Sequence, residues 1–200
     1  MTPVQFWFEF ASTYSYLAAM RVADLAAGRG VAFEWRPFLL GPIFARQGWN
    51  DSPYNLNPAR GAYMWHDVAR SAGKYRIPFK KPSAFPRNSV LAARVACASS
   101  GAPWLPEFIR GVFLANFADD REIAERAVLE EILGGLGQDG GRVIADAQAP
   151  GNKEKLREQT ELAWASGVIG APTTIVGGEV FWGNDRLEEA FDWYEAQARG

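Results

Sequence analysis

GAPTTIVGGEVFW, residues 170–182, is the stretch on which the fold turns. Thr173-Thr174-Ile175-Val176 and Glu179-Val180-Phe181-Trp182 are short runs of β-favouring residues joined by Gly177-Gly178, the pattern of an antiparallel hairpin. Pro172 opens the first run. Proline is tolerated at a strand start because no ladder bond is asked of its missing N–H, and it is also the residue that takes a cis peptide in special turns. The residues alone leave both geometries open. Beyond the hairpin, Leu187, Ala190, Phe191 and Tyr194 recur at i, i+3, i+4 and i+7, which predicts a closing helix. The C-terminal unit reads as ββα.

At the other end, Val4 to Phe10 (VQFWFEF) has the aromatic, β-favouring composition of a buried strand. Tyr16, Met20, Ala23 and Ala27 then place one face of a helix on the core, with Arg21 and Asp24 on its wet side. Gly28 and Gly30 are expected to stop it. Val31 to Arg36 forms a second strand, ended by Pro37. So short a strand-helix-strand unit implies parallel strands and a right-handed crossover.

Between about Pro58 and Gly167 the signals are helical. Asn88 or Ser89 caps a segment running to about Ser99, and Leu105, Phe108, Ile109, Val112 and Phe113 form an apolar stripe on the next. Further helices are expected around 121–134, 139–147 and 153–166, whereas Gly41 to Asn57 reads as an ordered loop. The order is βαβ, a helical block, then ββα. It divides the chain into an α/β domain, 1–57 with 168–200, and a helical insertion, 58–167.

Composition narrows the function classes. A net charge of -2 gives no electrostatic reason to expect nucleic acid or an anionic membrane as partner. No window approaches the ~20 apolar residues of a spanning helix, and no basic segment followed by an apolar run opens the chain. A soluble, cytoplasmic protein is expected. The single cysteine, Cys97, forbids an intrachain disulfide and reads as a packed thiol in a small-residue helix. With one histidine, His66, there is no ligand set for a metal, and a helical position accounts for that residue without a general-base role.

Three segments could carry chemistry. Ser12-Thr13-Tyr14-Ser15 opens the first helix, where unpaired N–H groups and the helix dipole stabilise an anion, a thiolate included. A serine there is equally a plain N-cap. Ala171-Pro172 stands at the mouth of the third strand. Trp182-Gly183-Asn184-Asp185 opens the last helix, where Asn184 can cap, or where N–H groups and Asp185 can meet the carboxylate and ammonium of an amino-acid group.

The order of these segments resembles the thioredoxin fold with the insertion found in DsbA-like proteins. More closely, FWFEFASTYSYLA (6–18), WRPFLLGPIF (35–44), GAYMWHDVAR (61–70), GAPT (170–173) and FWGNDRL (181–187) resemble the family of 2-hydroxychromene-2-carboxylate isomerases and kappa-class glutathione transferases. Where redox members carry Cys-x-x-Cys, this chain has Ser12 and Ser15. Relatives often carry proline after the first serine, and here Thr13 stands there, which loosens the turn without removing the hydroxyl.

The resemblance implies glutathione as cofactor. Its cysteine would pair with the main chain of Ala171 before a cis Pro172, a strand addition in miniature. Asn184 and Asp185 would hold the γ-glutamyl end, with Trp182 beside them in the glutathione site; the loop around Trp49 and Asn50 would also contact glutathione, and Ser12 would donate to the sulfur. It also implies an isomerase of aromatic-compound degradation, in which the thiolate adds to a conjugated carbon, the bond rotates, and the thiol leaves. The rival readings are a kappa-type transferase and a non-catalytic module gripping extended peptides beside Pro172. A small aromatic substrate would need an apolar pocket, for which Phe38, Trp49, Tyr54, Tyr63 and Trp65 are candidates. Arg87 and Arg94 flank a place where a cation could meet its carboxylate, but both are expected to be exposed. Dimers are common in that family, so a homodimer is the assembly the resemblance implies.

Overall fold

The computed structural model describes residues 2–199. β1 (Val4–Phe8), α1 (Thr13–Arg29) and β2 (Phe33–Pro37) form the first unit, with β1 and β2 parallel and Phe6 opposite Trp35. The chain continues through α2 (Leu40–Arg46), α3 (Pro53–Leu56), α4 (Pro58–Tyr75), α5 (Val90–Ala98), α6 (Leu105–Phe117), α7 (Arg126–Gly135), α8 (Gly140–Ala147) and α9 (Pro150–Ala165). β3 (Thr173–Val176) and β4 (Glu179–Trp182) return it to the sheet, a 3-10 turn covers Asn184–Arg186, and α10 (Leu187–Arg199) follows. The sheet order is β2-β1-β3-β4, and β3 runs antiparallel to both β1 and β4. This is the βαβ…ββα order with a helical insertion that the sequence predicts.

β1 sits at the centre because both of its faces are apolar. Val4, Phe6 and Phe8 join the large core that α1, α4 to α8 and α10 cover, while Trp7 joins Phe38, Ile43, Ala163, Val168 and Ile175 on the opposite face. The period-2 alternation of a strand makes that division. The α6 stripe from Leu105 to Phe113 is buried as expected.

Three local expectations are corrected. The buried side of α1 is Tyr16, Ala19, Val22 and Ala26, while Ala23 is only half-buried and Ala27 is exposed. Helices α4, α6 and α10 all pack on α1, which widens its covered face beyond one stripe. Gly30, at φ 64°, takes the left-handed C-cap, so Gly28 stays helical. Gly41 to Asn57 is not a continuous loop. Pro42 lies in the first turn of α2, Ser52 and Pro53 start α3, and Asn57 and Pro58 start α4. The polar and proline residues that suggested a loop are cap and first-turn residues, where a missing N–H costs nothing. Among the described residues no helix is long and apolar enough to cross a membrane.

Candidate active site

Ser12 has extended backbone (φ −86°, ψ 120°) and caps α1, its Oγ accepting the Ser15 N–H at 3.1 Å. The same hydroxyl donates to the Ala171 carbonyl at 3.0 Å. It is therefore an N-cap and also a link between two segments read separately in the sequence. The first-turn N–H groups of Thr13 and Tyr14 have no carbonyl one turn earlier to bond, and both residues line a cavity. Ser15 is buried, its Oγ accepting the Glu9 N–H at 3.3 Å.

The Ala171–Pro172 peptide is cis. Thr173 Oγ1 donates to the Gly170 carbonyl at 2.8 Å, and the Gly183 N–H donates to the Pro172 carbonyl at 2.9 Å. These bonds tie the strand entry to the start of the last helical segment. A Cβ on Gly170 would stand 2.4 Å from Trp182 Nε1, so the indole lies directly against that glycine.

Asn184 does not cap. Gly183 takes the cap position at φ 122°, a backbone that favours glycine, and Asn184 is the first residue of the 3-10 turn. Its Oδ1 accepts from Arg21 at 2.8 Å, and its carbonyl accepts from the same guanidinium at 3.2 Å. Arg21, expected on the wet side of α1, also pairs with Glu188 and lies 3.8 Å from the Tyr75 ring centroid. Buried Asn184 thus has its oxygen committed inward, whereas the Asp185 side chain is 78% exposed.

These segments open onto one cavity of about 1310 Å³. Ser12, Ala171, Trp182, Asn184 and Asp185 line it, with Asn50 on the wall formed after α2; Pro172 lies buried behind Ala171 and is not on the wall. Of the candidate aromatics, Trp49, Tyr54 and Tyr63 line the cavity. Phe38 belongs to the Trp7 core, and Trp65 packs against Phe79 and Phe85. Tyr14, not singled out in the sequence, donates to Asp67 Oδ2 at 3.0 Å, and burial with that bond holds its hydroxyl above the usual tyrosine pKa. His66 is exposed on α4, and no His, Cys, Asp and Glu cluster able to hold a metal exists among the described residues.

Arg87 is a correction. Its side chain is 3% exposed, not free: it bonds Asp120 Oδ1 at 2.6 Å and Asn116 Oδ1 at 3.1 Å. Asn116 in turn donates to the Phe10 carbonyl at 3.0 Å, so Arg87 braces the end of β1. Neutralised by Asp120, it is a poor counter-charge for a second carboxylate. Arg94 is half-buried on a separate, smaller cavity.

Sequence reading missed Glu9. It lines the cavity at 5% exposure, and burial pushes its carboxyl pKa up to about 7, against opposing bonds from Ser89 and the Ala11 N–H. One signal was available: a lone acid inside the aromatic run FWFEF, where charged residues are rarely buried without a reason.

A model of the DSBA-like thioredoxin domain family matches residues 3–194. The chain is 31% identical to a 2-hydroxychromene-2-carboxylate isomerase of Pseudomonas sp. (strain C18) over 188 residues, spanning 92% of this chain and 86% of that protein. A solved structure of 2-hydroxychromene-2-carboxylate isomerase superposes with a TM-score of 0.83 at 28% identity, covering 99% of this chain and 95% of that one. Glutathione S-transferase kappa 2 of Caenorhabditis elegans is 24% identical over 211 residues, across 98% of this chain and 93% of that protein.

Proposed function

Because the chain belongs to the DSBA-like thioredoxin domain family, together with the 2-hydroxychromene-2-carboxylate isomerases, we propose that it is a glutathione-dependent isomerase of a hydroxylated aromatic carboxylate. The observation that carries the reading is the Ser12–Ala171 hydrogen bond on a cavity whose rim holds Asn184 and Asp185. At about 1310 Å³ the cavity exceeds the roughly 300–1,000 Å³ of a single small-molecule site, which suits a tripeptide and an aromatic substrate together.

The donor set fits glutathione. Ala171 offers a main-chain edge for an extended peptide, Asn184 and Asp185 with Trp182 suit the γ-glutamyl end, and Asn50 lines the same cavity. A peptide N–H arriving at the Ala171 carbonyl displaces the Ser12 hydroxyl, which then turns to the sulfur. Ser12 and the N–H groups of Thr13 and Tyr14 stabilise negative charge at that atom. When bound, glutathione supplies a nucleophilic sulfur that adds to and leaves a conjugated carbon. Arg60 and Lys74, on the wall formed by α4, bring positive charge for a substrate carboxylate, and the Trp49, Tyr54 and Tyr63 side chains bring an apolar surface for its ring.

The test is product analysis with 2-hydroxychromene-2-carboxylate and glutathione. An isomerised product with glutathione unconsumed is expected. A stable adduct favours the kappa-type transferase, a reading supported by the full-length likeness to kappa transferases. A protein that binds no glutathione at millimolar concentration overturns both and leaves the peptide-gripping module.

A further inference from the structure

Glu9 follows β1 directly, three positions before Ser12, and the two residues line the same cavity. Its carboxyl accepts the Ala11 N–H at 3.1 Å and is bonded to the Ser89 hydroxyl. The groups acting on that carboxyl are Ser89 and the N–H groups of Ala11 and Phe10, and no charged side chain is among them. From α1, the hydroxyl of Ser15 faces the Glu9 backbone. Ahead of α5, Arg87 is turned to Asn116 and Asp120. From α4, Arg60, Asp67 and Lys74 meet the cavity on another wall. A carboxylate buried without a cation is costly to keep charged, so Glu9 is poised to take a proton from any acid brought beside it.

We propose that Glu9 is the proton acceptor for the thiol of bound glutathione, taking the sulfur's proton on a carboxylate oxygen and returning it when the cycle closes. The inference rests on the glutathione reading above. The S–H bond breaks, an O–H bond forms on Glu9, and the sulfur keeps the electron pair; the two groups together carry one negative charge before and after. Ser12 and the start of α1 hold that charge when it is on sulfur, and Ser89 and the Ala11 N–H hold it when it is on Glu9. The match of acidities supports the exchange. Burial pushes the Glu9 carboxyl up to about 7, within the range of ~3.5–7.5 that helix starts impose on thiols.

The experiment counts protons released on glutathione binding, by calorimetry in buffers of different ionisation enthalpy, at a pH about one unit above the Glu9 pKa. Wild type is expected to release almost none, because the thiolate's charge beside Glu9 disfavours a second negative charge, raises the Glu9 pKa further and so keeps the captured proton on the carboxyl. Glu9→Gln is expected to release close to one per glutathione bound. Equal release by both overturns the inference. A wild type that binds no glutathione overturns the underlying reading, and this inference with it. Should Glu9→Gln fail to fold, Ser89→Ala decides. Losing the hydroxyl that lowers the Glu9 pKa moves the pH dependence of wild-type proton release upward, and an unmoved profile overturns the proposal.

Discussion

The Ser12 hydroxyl donates to the Ala171 carbonyl at 3.0 Å across 159 positions of sequence, while it accepts the Ser15 N–H at 3.1 Å. One side chain thus fixes the start of α1 and joins it to the entry of β3. Ser12→Ala removes both bonds, and with an N-cap worth about 0.5–2 kcal/mol a loss of roughly 1–2 kcal/mol is expected. Glutathione-dependent turnover should fall much further, on the order of 100-fold, since a donor aimed at developing charge is lost. Chemical denaturation and steady-state kinetics separate the two effects. Turnover that falls no more than the folded fraction does would deny Ser12 a role beyond capping.

Arg21 holds the far rim. Its guanidinium binds the Asn184 side chain and carbonyl, pairs with Glu188 and stacks on Tyr75. Arg21→Met keeps most of the apolar stem but releases Asn184. Hydrogen bonds to charged groups contribute about 1.5–3 kcal/mol, so stability should drop by that order. Glutathione affinity should weaken by about tenfold, equivalent to about 1.4 kcal/mol, with kcat at saturating glutathione little changed. An effect confined to kcat would place Arg21 in the chemistry instead.

The contrast between these two residues and the hairpin shows what sequence could reveal. The strands of 173–182, the α6 stripe and the closing helix were legible because each rests on local periodicity or turn chemistry. The partners of Ser12, Arg21 and Arg87 were not, because Ala171, Asn184 and Asp120 reach them from other parts of the chain. Arg87 looked exposed because arginine usually is. A carboxylate and an amide on distant segments made its burial tolerable. The loop that became α2 and α3 failed for a different reason: residues that start helices and residues that make turns are chemically the same set.

Gly61, packed on the Tyr54 backbone, and Gly170, on the cavity wall, should respond unequally to alanine. At Gly61 a Cβ would stand 2.4 Å from the Tyr54 carbonyl oxygen, which is backbone and cannot turn aside. Gly61→Ala is expected to destabilise by about 1–3 kcal/mol through displacement of α3 against α4. At Gly170 the obstacle is the Trp182 indole, which is 55% exposed and free to swing. Gly170→Ala should therefore change stability by less than about 1 kcal/mol while altering glutathione affinity, because the cavity rim is rebuilt. Thermal melts and binding titrations on both variants check the pair; a Gly170→Ala protein as unstable as Gly61→Ala would show that the indole is rigidly held.

Glu9 should leave a signature in stability as well as in proton release. Burial raises its pKa from the ordinary 4.5 to about 7 in the folded chain. Between those values the unfolded chain has lost the proton that the folded chain keeps, so folded protein binds more protons and stability falls as pH rises. The contribution is fully present below 4.5 and gone above about 7. At ~1.4 kcal/mol per pKa unit, the fall amounts to roughly 3 kcal/mol. Asp120 acts in the opposite sense, since the Ser83 N–H and Arg87 hold its carboxyl below the usual range and its stabilisation disappears as the solution becomes acid. The test must therefore compare two proteins rather than follow one. Glu9→Gln retains an oxygen for the Ala11 N–H and the Ser89 hydroxyl but cannot ionise. Urea unfolding of both, on either side of the window, should show the variant gaining on wild type as pH increases. A difference that stays constant with pH would mean that Glu9 does not titrate at the raised value, and that its carboxyl is no better placed than an amide to hold a proton.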